Sequence, residues 1–253
     1  MLIFIFFSVL LTLTGFNYQQ RIHFRQKKIS EWILDISGLF FQGVIIPALQ
    51  ILFVYKIYNF LLPNYQGIIF IHPILAFCLS FILIDYIYYW NHRLFHNKLL
   101  WSIHQVHHTV TQMDVIGTSR NTLWTSFLII YLWIHPCFIY LLNEPIWYIL
   151  GASLTSGLDL WRHSIFTPKN NSFFYQILSP WLILPQDHSW HHASENIYGN
   201  FGANFKLWDK IHGTYFPSSS MTEKLGIKSD FHLWKQLFLP FHLKYSNQVN
   251  QKL

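Results

Sequence analysis

The sequence predicts an all-α fold, an integral membrane helical bundle of about four crossings with a helical cap on its cytoplasmic side. Three observations predict it. Long apolar runs follow one another from residue 2 to residue 160. Only 11% of the 253 residues are charged, against about 25% in a typical soluble domain, while 52% are hydrophobic and 19% aromatic. Eight of the 15 histidines fall in three tight clusters set among those runs: His92/His96, His104/His107/His108 and His188/His191/His192.

The elements follow in order. Leu2–Phe16 lacks a basic flank and a small-residue cleavage site, so it is not read as a signal peptide. Its 15 residues fall short of the roughly 20 needed for a crossing, which suits a short or tilted helix. Arg21–Lys28 holds four basic residues in eight and reads as a headgroup-contacting loop. The run 32–62 is too long for one straight crossing and is interrupted by Pro47. Pro63-Asn64-Tyr65-Gln66-Gly67 marks a turn. A third span, 68–90, runs directly into His92. The apolar stretch 123–160 is broken by Asn143-Glu144-Pro145 and reads as two crossings. From Arg162 onward the chain is more polar and carries the last cluster. This divides the chain into 1–66, membrane helices and basic loop; 67–216, the segment with the histidines; and 217–253, a C-terminal cytoplasmic tail. If the basic loop is cytoplasmic, counting crossings puts 91–122 and 161–253 on that same side, where all three clusters can meet.

The formal charge of +6 fits anionic headgroups better than nucleic acid, since no soluble stretch interleaves basic and exposed aromatic residues. Cys78 and Cys137 both sit in apolar runs and cannot build a disulfide framework, a cysteine-rich zinc site or an iron–sulfur cluster.

Imidazole is the commonest metal ligand near neutral pH, being mostly neutral there with a free lone pair. His92 and His96 are spaced i, i+4, one turn apart on a helical face. His-x-x-His-His occurs twice, at 104–108 and at 188–192. Neighbours such as His107 and His108 diverge by about 100° on a helix, so each can serve a different ion. Eight imidazoles exceed the four ligands of a structural zinc and point to two metals. Ligand type leaves iron, copper, nickel and zinc open. The absence of His-Glu-x-x-His argues against the common zinc metalloprotease arrangement.

Asp85-Tyr-Ile-Tyr-Tyr-Trp-Asn-His92-Arg-Leu-Phe-His96, then Trp101-Ser-Ile-His104-Gln-Val-His107-His108, then His188-Ser-Trp-His191-His192 resemble the fatty acid hydroxylase/sterol desaturase superfamily. Tyr198-Gly-Asn-Phe-Gly202 and Leu207-Trp-Asp-Lys-Ile-His-Gly-Thr-Tyr215 echo it, and the likeness covers roughly residues 70–216. The resemblance implies a fatty acid hydroxylase-like catalytic domain over 67–216. It implies a membrane-bound non-haem di-iron oxygenase that hydroxylates or desaturates an unactivated C–H bond of a lipid, such as a sterol, fatty acyl chain or ether lipid. Its cofactors are two iron ions, with O2 as co-substrate. By position it implies His92, His96, His104, His107, His108, His188, His191 and His192 as ligands, and His163 as one more. His212 stands where the family more often has an apolar residue; an extra ligand and a surface histidine are both open there.

Ligating histidines commonly donate their second N–H to a carboxylate or carbonyl. Asp85, seven residues before His92, and Asp159, four before His163, share the faces of those histidines. Both are candidates for that supporting role. Arg120 and Asn121 are weaker candidates for contact with a polar substrate group. With no flavin, haem or iron–sulfur signature, an external donor is implied, a reductase or a cytochrome- or ferredoxin-type carrier. The membrane is the bacterial inner membrane or the endoplasmic reticulum. Two other classes compete. A metal-ion transporter would place ligands near the bilayer midplane, whereas these clusters follow the ends of spans. A membrane zinc hydrolase would need a carboxylate base, for which Glu195 is nearest.

Overall fold

A computed structural model describes residues 2–195 and 197–238. The remainder of the C-terminal tail, with His242, lies outside the described residues. Among the described residues there are helices and isolated bridges but no strand.

Helix α1 (Leu2–Phe16) turns through 93° at Asn17 into α2 (Tyr18–Gln26). The Asn17 side chain accepts from the Gln20 amide at 3.1 Å, which caps α2 and fixes the corner. Next comes one helix, α3 (Ile29–Leu61). The break expected at Pro47 does not occur. The segments Phe41–Ile45 and Gln50–Val54 are wound as π-helix, and the Ile46 amide reaches back to the Phe41 carbonyl. Widening the turn just before the proline takes up the missing N–H and the ring, so the helix continues. Its 33 residues span roughly 50 Å, more than the ~30 Å hydrocarbon core. Its flank is apolar yet uncovered, as at Ile51, Phe53 and Phe60, the surface expected to face lipid.

The turn holds Gly67 at φ +67°, in the left-handed region. His72 caps α4 (Pro73–Phe95), accepting from the Ile74 amide at 3.3 Å. Short elements follow: α5 (Trp101–His104), 3-10 turns at His107–Thr109 and Gly117–Ser119, and α6 (Thr125–Leu128). The hairpin after them pairs α7 (Tyr131–Leu141) with α8 (Ile146–Arg162). At 11 residues α7 covers only about 16 Å. By length and apolarity α3 and α4 can cross a bilayer, or three segments if the bent α1–α2 pair counts as one, where about four crossings are expected from sequence.

Helix α8 is the hub, touching α1, α4, α7 and the later helix α10 (Pro185–His191). Leu10, Val115 and Leu160 join α1 to the segment before the Gly117–Ser119 turn and to α8. Ala76, Ile84, Leu142 and Tyr148 form a second core between α4 and the hairpin. On α3, Gly38 meets the 3-10 turn so closely that a Cβ there would lie 2.0 Å from the Ser119 carbonyl oxygen. The remaining pieces are α9 (Phe173–Leu178), α11 (Leu207–Ile211) and α12 (Leu233–Phe238).

Candidate metal centre

The three histidine clusters meet, and they meet as two nests. His92, His96, His104, His108 and His191 each offer a nitrogen within 4.8 Å of the others; so do His107, His163, His188 and His192. The neighbours His107 and His108 go to different nests, as do His191 and His192. In the second nest the Nε2 atoms close in pairwise: His188 to His163 at 2.9 Å, His192 to His188 at 3.1 Å, His163 to His107 at 3.4 Å. All but His96 are buried.

The backbone orients four of these rings. Nδ1 of His92 donates to the Phe201 carbonyl (2.9 Å), that of His107 to Arg120 (3.1 Å), that of His163 to Asp159 (2.8 Å) and that of His191 to Gly199 (2.8 Å). Each bond places the proton on Nδ1 and turns the Nε2 lone pair inward. Nε2 of His92, His96, His108 and His191, and both nitrogens of His104, are then buried with no hydrogen-bond partner in the protein. Five imidazoles with inward, unsatisfied nitrogens, and four whose Nε2 atoms converge on one another, fit two metal ions.

Carboxylates away from the rings hold these carbonyls in place. Asp209 accepts from the Phe201 and Gly202 amides, both at 2.8 Å. Asp85 accepts from the Asn204 amide at 2.7 Å, Phe205 at 3.2 Å and the Trp208 indole at 2.6 Å. Asp85 therefore does not reach His92, as its face-sharing spacing suggests; it secures the loop whose Phe201 carbonyl holds that ring. The strong pull of three N–H donors outcompetes one imidazole a turn and more away. Gly202 permits the loop's closure, since a Cβ there would lie 2.4 Å from the Phe205 carbonyl oxygen. Asp159 does face His163, its Oδ1 3.3 Å from Nδ1, and it also pairs with Arg162 at 2.5 Å. Asp187 caps α10 from the Leu184 amide (2.9 Å) and takes a bond from Lys206 (2.9 Å).

Arg120 is not available to a substrate. It is buried, and its guanidinium grips Asp35 at 2.5 and 3.0 Å. What it offers the site is its carbonyl, on His107. Asn121 does line the central cavity, and its Oδ1 is buried without a partner. His212 belongs to neither nest; it packs among Tyr86, Tyr89 and Trp90, 3.3 Å from the Tyr86 hydroxyl. Glu195 is exposed. His135 bonds to the Tyr148 hydroxyl at 2.9 Å. Sequence reasoning missed the Phe201 carbonyl and the Asp35 pair, which lie too far along the chain for any spacing rule, and the Gly199 carbonyl, which a loop and not a helical repeat brings to His191.

A cavity of about 710 Å³ runs from α1 and α3 to the histidines, and both nests contribute to its wall: His92 and His104 from one, His107, His163 and His188 from the other. Apolar side chains such as Phe4, Phe7, Leu39 and Ile149 share the rest of the wall with polar ones such as Gln42, Gln50, Asn121 and Tyr131.

Burial holds the imidazoles in the neutral form: His104 and His108 lie well below the usual value, His191 at about 4 and His107 at about 3. The unfolded chain, with histidines near 6.5, therefore binds more protons than the folded one. Stability of the metal-free protein should be intact above about pH 6.5 and fall as pH drops from there toward about 3. Thermal melts of chelator-treated protein across that range check this; a melting temperature flat between about pH 7 and 5 would contradict it.

The fatty acid hydroxylase family model matches residues 77–214, more than half of the 253-residue chain. The chain belongs to this family, within the fatty acid hydroxylase/sterol desaturase superfamily, and is a membrane protein of it. Among its relatives is the ornithine lipid hydroxylase OlsE of Rhizobium tropici, 29% identical over 178 residues, covering 68% of this chain and 52% of the relative. Alkylglycerol monooxygenase of Danio rerio is 27% identical over 169 residues, 64% of this chain and 35% of the relative. The same enzyme of Homo sapiens is 26% identical over 173 residues, 66% and 36%. The match thus spans about half the length of the first relative and about a third of the other two. No solved structure matches the chain significantly.

Proposed function

We propose that this chain is a membrane di-iron monooxygenase that uses O2 and two external electrons to hydroxylate an unactivated C–H bond of a lipid chain. One observation carries the reading: a cavity of about 710 Å³ with a largely apolar surface is walled in part by histidines of two metal-binding nests. The names of the relatives, an ornithine lipid hydroxylase and an alkylglycerol monooxygenase, support hydroxylation over desaturation.

In this reading His92, His96, His104, His108 and His191 hold one iron, and His107, His163, His188 and His192 the other. When bound, the irons supply oxygen activation, the hard step that side chains cannot perform. The protein's own part is to orient and to exclude. Carbonyls of Phe201, Gly199, Arg120 and Asp159 fix the ring tautomers, and Asp85 and Asp209 fix the loop bearing two of those carbonyls. The apolar wall keeps water away and lays the substrate chain alongside the metals. Cys78 and Cys137 sit half-buried on separate helices and hold no iron–sulfur cluster between them; in this reading the electrons are supplied by a reductase or carrier. The active site faces the cytoplasm, as the basic 21–28 segment implies.

The test is metal analysis of the purified protein together with oxygen uptake in the presence of membrane lipid and a reductase. Two irons per chain and lipid-dependent oxygen consumption are expected. One zinc per chain with oxygen-independent hydrolysis would overturn the reading.

A further inference from the structure

One polar group in the cavity wall plays no part in the metal nests. Tyr131, at the start of α7, lines the cavity, and its hydroxyl is buried with no hydrogen-bond partner in the protein. The ring is firmly held. It stacks on Tyr88 at 4.8 Å and 9° and on His135 at 4.9 Å and 13°. Tyr88 in turn packs 5.6 Å from the His92 ring, and His135 is fixed by Tyr148 at 2.9 Å. The Gln50 side chain donates to the Tyr131 carbonyl at 3.0 Å. A column of rings thus leads from the metal centre into the bundle and carries one unpaired hydroxyl with it.

A buried hydroxyl with no partner in the protein is unfavourable, and phenylalanine would fill the same space without that cost. The group earns its place only if something in the cavity bonds to it. We propose that the Tyr131 hydroxyl is a specificity-determining contact that registers the substrate by hydrogen bonding to an uncharged hydroxyl or amide on the lipid chain. The inference rests on the oxygenase reading for its identification of the cavity as the lipid slot. Asn121 offers a second unpaired acceptor in the same wall, next to the residue whose carbonyl holds His107. A partner for both kinds of group must be able to donate and to accept, which a hydroxyl or amide does and a plain hydrocarbon does not. The partner is uncharged because, apart from the metals, the wall offers no unmatched positive charge. Arg162 is its one Lys or Arg among the described residues; its charge is matched by Asp159, its Nη1 is bonded to the Ala203 carbonyl, and its buried Nε is left as one more unpaired donor.

The experiment measures binding to the metal-loaded protein in detergent micelles, without turnover. The probes are a long-chain primary alcohol, the alkane of equal length and the corresponding carboxylate. Wild type is expected to bind the alcohol about tenfold more tightly than the alkane, and Tyr131→Phe is expected to leave carboxylate binding unchanged. Tyr131→Phe is expected to bind the alcohol about as weakly as the alkane, to keep wild-type affinity for the alkane, and to melt no lower than wild type. Unchanged alcohol binding by Tyr131→Phe, a preference for the carboxylate that Tyr131→Phe abolishes, or a variant that melts well below wild type would each overturn the proposal, the last by making the hydroxyl structural. Metal content and oxygen uptake are read on the same samples, so a failure of the oxygenase reading shows there and not in the binding difference.

Discussion

Replacing His107 with alanine is expected to abolish lipid-dependent turnover, by more than about 100-fold, while leaving the protein inserted in the membrane. Substitutions that only disturb a ligand's supporting partner typically cost 10–100-fold, and His107 itself stands in the nest, its Nε2 3.4 Å from that of His163. Three imidazoles would remain there, facing a gap where the ring had been. The other nest, with five histidines, keeps its set. Iron content should therefore fall from two per chain toward one, which separates loss of a ligand from loss of the fold. Membrane insertion should survive because α3 and α4 owe it to apolar surface far from this ring. Substantial turnover by His107→Ala, with two irons still bound, would remove His107 from the proposed ligand set.

Replacing Asp35 with alanine is expected to lower stability by about 3–5 kcal/mol, the usual cost of stripping one partner from a buried ion pair. Asp35 is buried on α3 and binds the Arg120 guanidinium through both oxygens and the Lys27 ammonium as well. Lys27 also reaches Asp114 at 3.0 Å, so two cations and two anions balance in a dry place. Without Asp35, one buried positive charge is left over, and Glu31, 3.9 Å from Arg120 and partly exposed, is a poor substitute. The same change frees Arg120, whose carbonyl holds His107, so the nest of four should load metal less completely. Thermal melting in detergent, with iron content on the same sample, checks both effects. A variant that melts like wild type would show that water or Glu31 compensates and that the network is not structural.

Much of this molecule is legible in the order of its residues, and the reason is local. The apolar runs that become α3 and α4 show as composition, and His92/His96 show as one helical face, since a turn of helix is only a few residues long. The about 100° divergence of adjacent histidines anticipates a division of His107 from His108. Pro47 misleads because proline usually breaks a helix, and only a π-wound turn, invisible to propensity, carries α3 past it. Arg120 misleads because a lone arginine near histidines resembles a substrate contact, while the side chain that claims it lies on another helix. Asp85 sits at the right spacing for His92 but is taken by a loop more than a hundred positions along the chain.

The sequence by itself determined a helical membrane protein and a supply of imidazoles at helical spacing, because hydropathy and helical period act between near neighbours. Only the tertiary structure decided which histidine shares a nest with which, that the Phe201 carbonyl fixes the His92 ring, and that the cavity beside them carries an unpaired tyrosine hydroxyl. Those are meetings between segments remote in sequence. Closure of the chain around α8 sets them, through contacts whose geometry no local pattern encodes.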